Sequence, residues 1–334
     1  MFRLELVAVQ IEEAHRLALI GRVPHLRMAF LMLDNAAEMM LLRMVERDTE
    51  HREMDQMLLD GMLRVQSVRD SVAISSRIAE LQAKIIPSAK LRKIEQGFNE
   101  KANFLVERGI LDSSTGAILK RLHHYRNLMY HQVEMRSALI STALSVYFDV
   151  DCEILAGWAP PRVMSSEHSY SDLQRIGISP QTMFDDTICR RTSDILRALA
   201  RIDVDSVRVA LVEHLHERIN EVDEDIDFIF NNSSQLGLET RDDLIRFIQW
   251  IDDDGRRLPS LQELRATRVS TDMKKIASWR RRIEALASLL DRLVLYARFA
   301  AIELEFEPFE ERVRYVAGVV DRKIQSDIDE ARGK

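Results

Sequence analysis

Residues 25–48 read HLRMAFLMLDNAAEMMLLRMVERD, and this stretch decides which kind of fold the chain can adopt. On a helix that turns about 100° per residue, apolar side chains cover so much of its circumference that the helix must be central to a core. Its five methionines favour core or dimer packing over a cofactor pocket, because Met fills irregular gaps between packed elements. We therefore expect a helical bundle built around residues 25–48.

The composition of the rest of the chain also favours helices. The 334 residues include only 11 Gly and 7 Pro, which is too few for the many turns of a sheet protein. The predicted fold class is all-α, and sandwiches, barrels and doubly wound folds are excluded. Cys152 and Cys189 have no second Cys or His at ligand spacing, so the sequence indicates neither a zinc site nor a disulfide framework.

Glycine and proline divide the chain into helices and domains. Gly157-Trp158-Ala159-Pro160-Pro161 and the Ser-rich tract after it interrupt the helical pattern. We predict a helical bundle at 1–156, a linker at 157–182 and a second all-helical domain at 183–334. Apart from the central stretch, helices are predicted at 3–20, 52–86, 91–108, from about 112 to 133, and at 134–156, 183–200, 204–231, 239–252, 271–305 and 309–331.

The charge is distributed unevenly between the two halves. The net charge of −7 divides into +1 for residues 1–150 and −8 for residues 151–334. Residues 84–131 carry nine basic against four acidic side chains, so an anionic ligand, if the chain has one, would bind there. The alternative is a solvated helix face that is basic without binding an anion. The sequence shows no apolar leader and no apolar run of membrane-spanning length, so we expect a cytoplasmic protein without membrane contact.

Two charged clusters in the second half are predicted to be structural. The acidic run at residues 221–227 is typical of a solvated helix face rather than a metal site. The basic cluster at residues 280–282 is expected to pair with nearby acids. Trp250 and Trp279 are expected to be core anchors.

Residues 117–133 place two opposed stripes on one helix. The apolar stripe predicts core contacts and consists of Ile118, Leu122, Tyr125, Met129 and Val133. The opposite stripe carries titratable and hydrogen-bonding groups and consists of Lys120, His124, Asn127 and His131. This second stripe is the candidate site of chemistry.

Arg126 adds a cation to that candidate site. A guanidinium can stabilise the charge of a pentacoordinate phosphorus, and a histidine such as His131 can move a proton near neutral pH. This chemistry needs no metal, and we expect no metal or other cofactor. On an ideal helix Arg126 and His131 lie about 140° apart. They converge only if the long Arg side chain wraps, the helix is distorted, or a second copy contributes.

The hexapeptide RNLMYH at residues 126–131 reads R-N-x-x-x-H and resembles the signature of HEPN domains, which are all-α nucleases. This pattern is expected about 0.02 times by chance in a chain of this length and composition. It follows a polar loop and precedes a long apolar helix, as in that family. Asp34 and its neighbours also resemble the family's first long core helix, where an acidic residue often faces the site. The resemblance covers about residues 1–155.

The resemblance implies a metal-independent endoribonuclease. His131 would be the general base or acid that assists attack by the RNA 2′-OH, Arg126 would bind and stabilise the phosphate, and Asn127 would orient the site. The product would carry a 2′,3′-cyclic phosphate, and the site would form between the two chains of a homodimer. We add Lys120, Arg121 and His124 as substrate contacts.

The resemblance also suggests a biological setting. It loosely implies phage defence, abortive infection or a toxin system, with RNA, possibly tRNA, as substrate and a regulatory protein as a possible partner of the second domain. Gln132 and Val133 stand after the His where many toxin members carry a Tyr two positions on, so pairing with a nucleotidyltransferase antitoxin is not implied.

Two alternatives remain open at this point. The first is a non-catalytic HEPN-like helical module that binds RNA or a protein partner, with Arg126 and His131 at a dimer interface. The second is a helical scaffold in which the motif is accidental. That scaffold would have no affinity for RNA even at low salt, where phosphate contacts are strongest.

Overall fold

The computed structural model of the chain describes residues 2–68, 71–131, 137–158, 171–178, 187–233, 236–251 and 259–332. No β-strand occurs within these ranges, and the all-α prediction is confirmed. The helices are α1 (Phe2–Ile20), α2 (Val23–Asp48), α3 (Arg52–Val68), α4 (Val72–Lys84), α5 (Ser88–Gln96), α6 (Phe98–Glu107), α7 (Ser113–His131), α8 (Ser137–Gly157), α9 (Ser171–Arg175), α10 (Ile188–Ala200), α11 (Val204–Asn232), α12 (Arg241–Trp250), α13 (Leu261–Ala266), α14 (Met273–Leu286) and α15 (Arg292–Ala331).

The chain divides into two compact units, Met1–Ile202 and Asp203–Lys334. This boundary lies later than the linker predicted at residues 157–182, because α10 packs against α8 and α1 of the first unit. The Ser193 hydroxyl donates a hydrogen bond to the carbonyl of Cys152 at 2.6 Å, and Arg197 pairs with Glu153 at 2.6 Å. These contacts make α10 part of the first unit's core, which a composition change along the sequence could not reveal.

The predicted central helix is the centre of the first unit. Helix α2 contacts α1, α6, α7 and α8, and its buried side chains occupy about half of its circumference. Pro24 stands in its first turn, where the missing N–H costs nothing because that group has no partner inside the helix. The first unit is therefore organised around the stretch that the sequence singled out.

The predicted helix over residues 52–86 is wrong, because α3 and α4 form a hairpin. Antiparallel pairing is shown by Arg52, whose Nε donates to the Ile86 carbonyl at 2.9 Å, and by the ion pair of Lys84 with Asp55 at 2.7 Å. Ser71 caps α4 by accepting from the amide of Ile74. The two helices enclose a small core of Leu59, Ile78 and Leu81.

A second predicted helix is also interrupted. The sequence predicts one helix over residues 91–108, whereas Gly97 adopts an extended conformation between α5 and α6. A Cβ at position 97 would lie 2.9 Å from Cγ of Glu100, so only glycine fits there without a shift of that side chain. This break lets α6 pack against both α2 and α7.

The second unit is built around the pair formed by α11 and α15. Trp279 of α14 is fully buried, as predicted, and its ring packs at 5.3 Å from the ring of Phe306. The predicted helix end between residues 305 and 309 is wrong, because α15 continues through Pro308. Proline removes one helical hydrogen bond, but Phe306 and Phe309 on either side are buried and keep the helix continuous.

Ion pairs occupy the charged clusters of the second unit. Asp223 pairs with Arg280, and Glu221 pairs with Arg314 at 2.9 Å. Arg282 pairs with Glu305 at 2.7 Å. The prediction that the cluster at 280–282 pairs with nearby acids is confirmed for Arg280 and Arg282, whereas the acidic run at 221–227, predicted as a solvated helix face, contributes Glu221 and Asp223 to ion pairs. Among the described residues, no group of His, Cys, Asp and Glu is arranged to hold a metal ion.

Two further properties concern the helices and the cysteines. None of the described helices combines the length and the apolarity that crossing a bilayer requires. Cys152 and Cys189 are buried, and neither forms a disulfide with another described residue. Burial raises the pKa of the Cys189 thiol to about 12, which keeps it protonated and unreactive.

Candidate functional site

Helix α7 carries the predicted motif and presents the two predicted faces. Asp112 caps its N-terminus, accepting hydrogen bonds from the amide and the hydroxyl of Thr115 at 2.8 and 2.9 Å. The predicted apolar stripe is confirmed for Ile118, Leu122, Tyr125 and Met129, which are buried. Its last member, Val133, lies outside the described residues.

The polar face of α7 is half-buried. Lys120, His124 and Asn127 each have intermediate exposure. The Lys120 ammonium donates a hydrogen bond to Asn103 Oδ1 at 2.9 Å, which ties this face to α6. His131 is the last residue of α7, and its side chain lies outside the described part of the structure. The catalytic role of His131 therefore stays a prediction.

Two of the basic side chains in residues 84–131 are buried and make contacts inside the first unit. Arg121, one of the predicted substrate contacts, is only 7% exposed, and its guanidinium carbon lies 4.7 Å from the Tyr125 ring centroid. Lys101 is buried and pairs with Glu38 at 2.9 Å. A count of charges along the sequence could not separate such internal cations from cations that face solvent.

Asp34 of α2 is the centre of a buried polar network that joins three helices. The side chain is only 3% exposed, and its Oδ1 accepts a hydrogen bond from the Tyr147 hydroxyl of α8 at 2.8 Å. The same oxygen lies 2.8 Å from Nδ1 of His123 on α7, a separation at which a protonated Nδ1 donates. The His123 ring is stacked on Phe98, with centroids 4.2 Å apart.

Arg126 is held by this network at the edge of the bundle. Its Nε lies 3.5 Å from Asp34 Oδ2, and its Nη1 donates to Asn127 Oδ1 at 3.0 Å. The Arg126 side chain is 34% exposed. A guanidinium that is already oriented loses less conformational entropy when it binds an anion, so this arrangement suits recognition of a phosphate.

Asp151 and Tyr147 are two acidic groups close to Asp34 whose pKa values are raised. Burial, and then the nearby charge of Asp34, raise the pKa of Asp151 well above its usual range. Burial and the charges of Asp34 and Asp151 also raise the pKa of Tyr147. Asp151 is fully buried, and neither carboxyl oxygen has a hydrogen-bond partner among the described residues. At neutral pH we therefore expect Asp151 to be protonated, leaving Asp34 to pair with Arg126 and His123.

Most of this network was not predicted from the sequence. Asp34 is singled out on its own helix, whereas His123, Tyr147 and Asp151 are not among the predicted site residues. His123 adjoins His124, and only the rotation of α7 decides that His123 is the one that faces α2. Tyr147 and Asp151 are four residues apart in an apolar helix, and that i, i+4 spacing of two polar groups was the available signal.

Comparison of the chain with protein-family models, with curated proteins and with solved structures finds no match in any of the three.

Replacing Asp34 tests whether the network holds the first unit together. We expect Asp34→Asn to lower the free energy of unfolding by about 2–3 kcal/mol, because His123 and Arg126 lose their carboxylate. The measurement is urea unfolding followed by circular dichroism. Glu80→Gln, which removes a carboxylate from an exposed ion pair with Arg77, is the control and should cost less than about 0.5 kcal/mol. Equal losses in the two variants would contradict the role of Asp34.

Asp151 generates a prediction about pH. Its pKa is raised on folding, so the native state binds more protons than the unfolded state once the pH exceeds the unfolded value of about 3.9. Stability contributed by this group is complete at low pH and is lost as the pH rises towards the folded pKa. We expect Asp151→Leu to be more stable than the wild type at pH 7, by about 1 kcal/mol or more, with a smaller gain near pH 4.

Urea unfolding at the two pH values measures this difference. Asp149→Leu is the matched control, because Asp149 lies in the same helix but pairs with Arg197 at 3.4 Å. That variant should be less stable than the wild type at pH 7. A gain for Asp151→Leu that is the same at both pH values would show that its titration does not contribute.

Proposed function

We propose that this chain is a metal-independent endoribonuclease of the HEPN type. The observation that carries the proposal is the orientation of Arg126, a partly exposed guanidinium that Asp34 and Asn127 hold in place. It lies five residues before His131 on the same helix, in the R-N-x-x-x-H pattern. The basic character of residues 84–131 supports an anionic substrate.

The proposed reaction uses RNA as its own nucleophile. His131 removes the proton of a ribose 2′-OH, and the 2′ oxygen attacks the adjacent phosphorus. Arg126 stabilises the negative charge of the pentacoordinate phosphorus. The bond from phosphorus to O5′ then breaks, and O5′ takes up a proton from a protonated histidine. The products are a 2′,3′-cyclic phosphate and a 5′-OH, and no electrons are exchanged.

The proposal includes a homodimer formed through the first unit. On an ideal helix, Arg126 and His131 lie about 140° apart, so a second copy offers one way to complete the site. An exposed apolar face of α3 in the same unit supports association between copies. Its side chains lie at helical spacing and comprise Met54, Met57, Leu58 and Val65.

One observation instead favours a structural role for Arg126. The contact between Arg126 and Asp34 connects α7 to α2, which is what an arginine of the core would do. The alternative function is therefore a non-catalytic HEPN-like module that binds RNA or a protein partner. For the catalytic reading we further propose an intracellular role in phage defence or a toxin system, with tRNA among the candidate substrates.

The test of catalysis is incubation of the protein with total tRNA and a mixed RNA pool in the presence of EDTA. We expect fragments that end in 2′,3′-cyclic phosphate. His131→Ala should lower the cleavage rate by about 10²-fold or more, and Arg126→Ala should do so by a similar factor. Arg16→Ala, which removes an exposed arginine of α1, is the control and should cleave like the wild type.

Thermal unfolding of the same variants separates the two functions. If Arg126 is catalytic, Arg126→Ala loses cleavage while it remains folded. If Arg126 is structural, the wild type binds RNA without cutting it, and Arg126→Ala unfolds at a lower temperature. Absence of cleavage by the wild type on every RNA offered, together with absence of RNA affinity at low salt, would contradict both functions.

The dimer has its own test. Leu58 is 49% exposed on α3, so Leu58→Glu should fold and yet place a charge in the proposed interface. We expect the wild-type mass in analytical ultracentrifugation to be that of two chains, and the variant to shift towards one chain. Leu290→Glu is the control, because Leu290 is 89% exposed in the second unit. A wild type that stays monomeric at every concentration tested would rule out the dimer.

A further inference from the structure

A cleft of about 380 Å³ opens at the C-terminal end of α2, and we call it the α2 cleft. Its polar lining comes from Arg43, Arg47 and Asp48 of α2 and from Trp158, which follows α8. Met44 and Ile110 supply apolar walls. The volume lies within the range of small-ligand sites, which is roughly 300–1,000 Å³.

Two buried donors without partners line this cleft. Within the described part of the chain, the indole N–H of Trp158 is buried and makes no hydrogen bond, and the whole side chain is only 4% exposed. The Nε of Arg43 is likewise buried and has no acceptor among the described residues, while its Nη1 donates to Glu46 at 3.0 Å. A buried donor without a partner is unfavourable, and two of them at one cleft indicate that an acceptor belongs there.

The surrounding charges specify an anionic acceptor. Arg47 follows Arg43 by one helical turn on the same side of α2, is exposed, and forms no ion pair or side-chain hydrogen bond in the described ranges. The carboxylate of Asp48 is already taken by Arg108, whose Nε donates to it at 2.9 Å. The donors that remain available are two guanidinium groups and one indole N–H, which match the several oxygens of a phosphate.

We propose that the α2 cleft binds the phosphate group of a small phosphorylated ligand of mononucleotide size. Arg43 and Arg47 contact the phosphate, and the indole N–H of Trp158 donates to one of its oxygens. The organic part of the ligand lies against Met44 and Ile110. The cleft is separate from the candidate nuclease site, because Arg43 lies nine residues, or about 13 Å along α2, from Asp34.

Isothermal titration calorimetry with AMP, inorganic phosphate and adenosine tests the proposal. We expect AMP to bind saturably, inorganic phosphate to bind more weakly and to compete with it, and adenosine not to bind. Trp158→Phe keeps the ring and removes only the N–H, so it should weaken AMP binding about tenfold or more. Arg47→Gln should weaken it by a similar factor, and it is expected to fold normally because Arg47 is exposed and unpaired.

Two controls make the outcome specific. Arg22→Gln removes an exposed arginine at the other end of α2 and should leave AMP binding unchanged. Arg16→Gln, which removes an exposed arginine of α1, should also leave it unchanged. The proposal does not rest on the proposed nuclease function, because the residues of the α2 cleft are not those of the candidate nuclease site. Equal binding of AMP and adenosine, absence of saturable binding for both AMP and phosphate, or unchanged binding by Arg47→Gln and Trp158→Phe would overturn the proposal. Absence of binding would then indicate that water molecules satisfy the two donors.

Discussion

The first unit depends on one buried carboxylate. Asp34 on α2 accepts from Tyr147 of α8 and lies within contact distance of His123 and Arg126 of α7, so a single side chain fixes the relative rotation of three helices. Burying such a charge is unfavourable unless it is paired and hydrogen-bonded, and here all the compensation comes from side chains of other helices. Loss of the register between these helices would therefore leave the carboxylate uncompensated. We infer that this constraint makes one packing of α2, α7 and α8 more stable than its competitors.

The same network explains why Arg126 is suited to a functional role. An arginine at the edge of a bundle would ordinarily sample many rotamers, whereas Arg126 contacts both Asp34 and Asn127. Asp151 contributes by remaining neutral, since a second buried negative charge beside Asp34 would be strongly unfavourable. Because burial keeps Asp151 neutral, Asp34 is the carboxylate that contributes negative charge to this network. The α2 cleft contrasts with it, because its buried donors lack the acceptor that Asp34 provides in the network.

Periodicity predicted the features that depend on one helix at a time. The buried stripe of α7 and the central position of residues 25–48 follow from side-chain spacing, which a sequence encodes directly. The wrong predictions concern helix boundaries, where the local sequence and the tertiary packing favour different structures. A proline such as Pro308 locally predicts a helix end, yet buried aromatic neighbours keep α15 continuous. Residues 52–86 predict one helix, because both helices of the α3–α4 hairpin carry compatible apolar spacing.

The amino-acid sequence alone was enough to establish that the chain is helical and that the core of its first unit is organised around residues 25–48. It also showed that Arg126, Asn127 and His131 have the spacing of the R-N-x-x-x-H pattern. The tertiary structure alone decided that His123 rather than His124 faces Asp34, that Lys101 and Arg121 are internal, and that α10 belongs to the first unit. The physical reason is that helical spacing fixes which residues share a face, whereas the partner of that face depends on how helices distant in sequence rotate and pack. Burial and ion pairing arise only at those contacts.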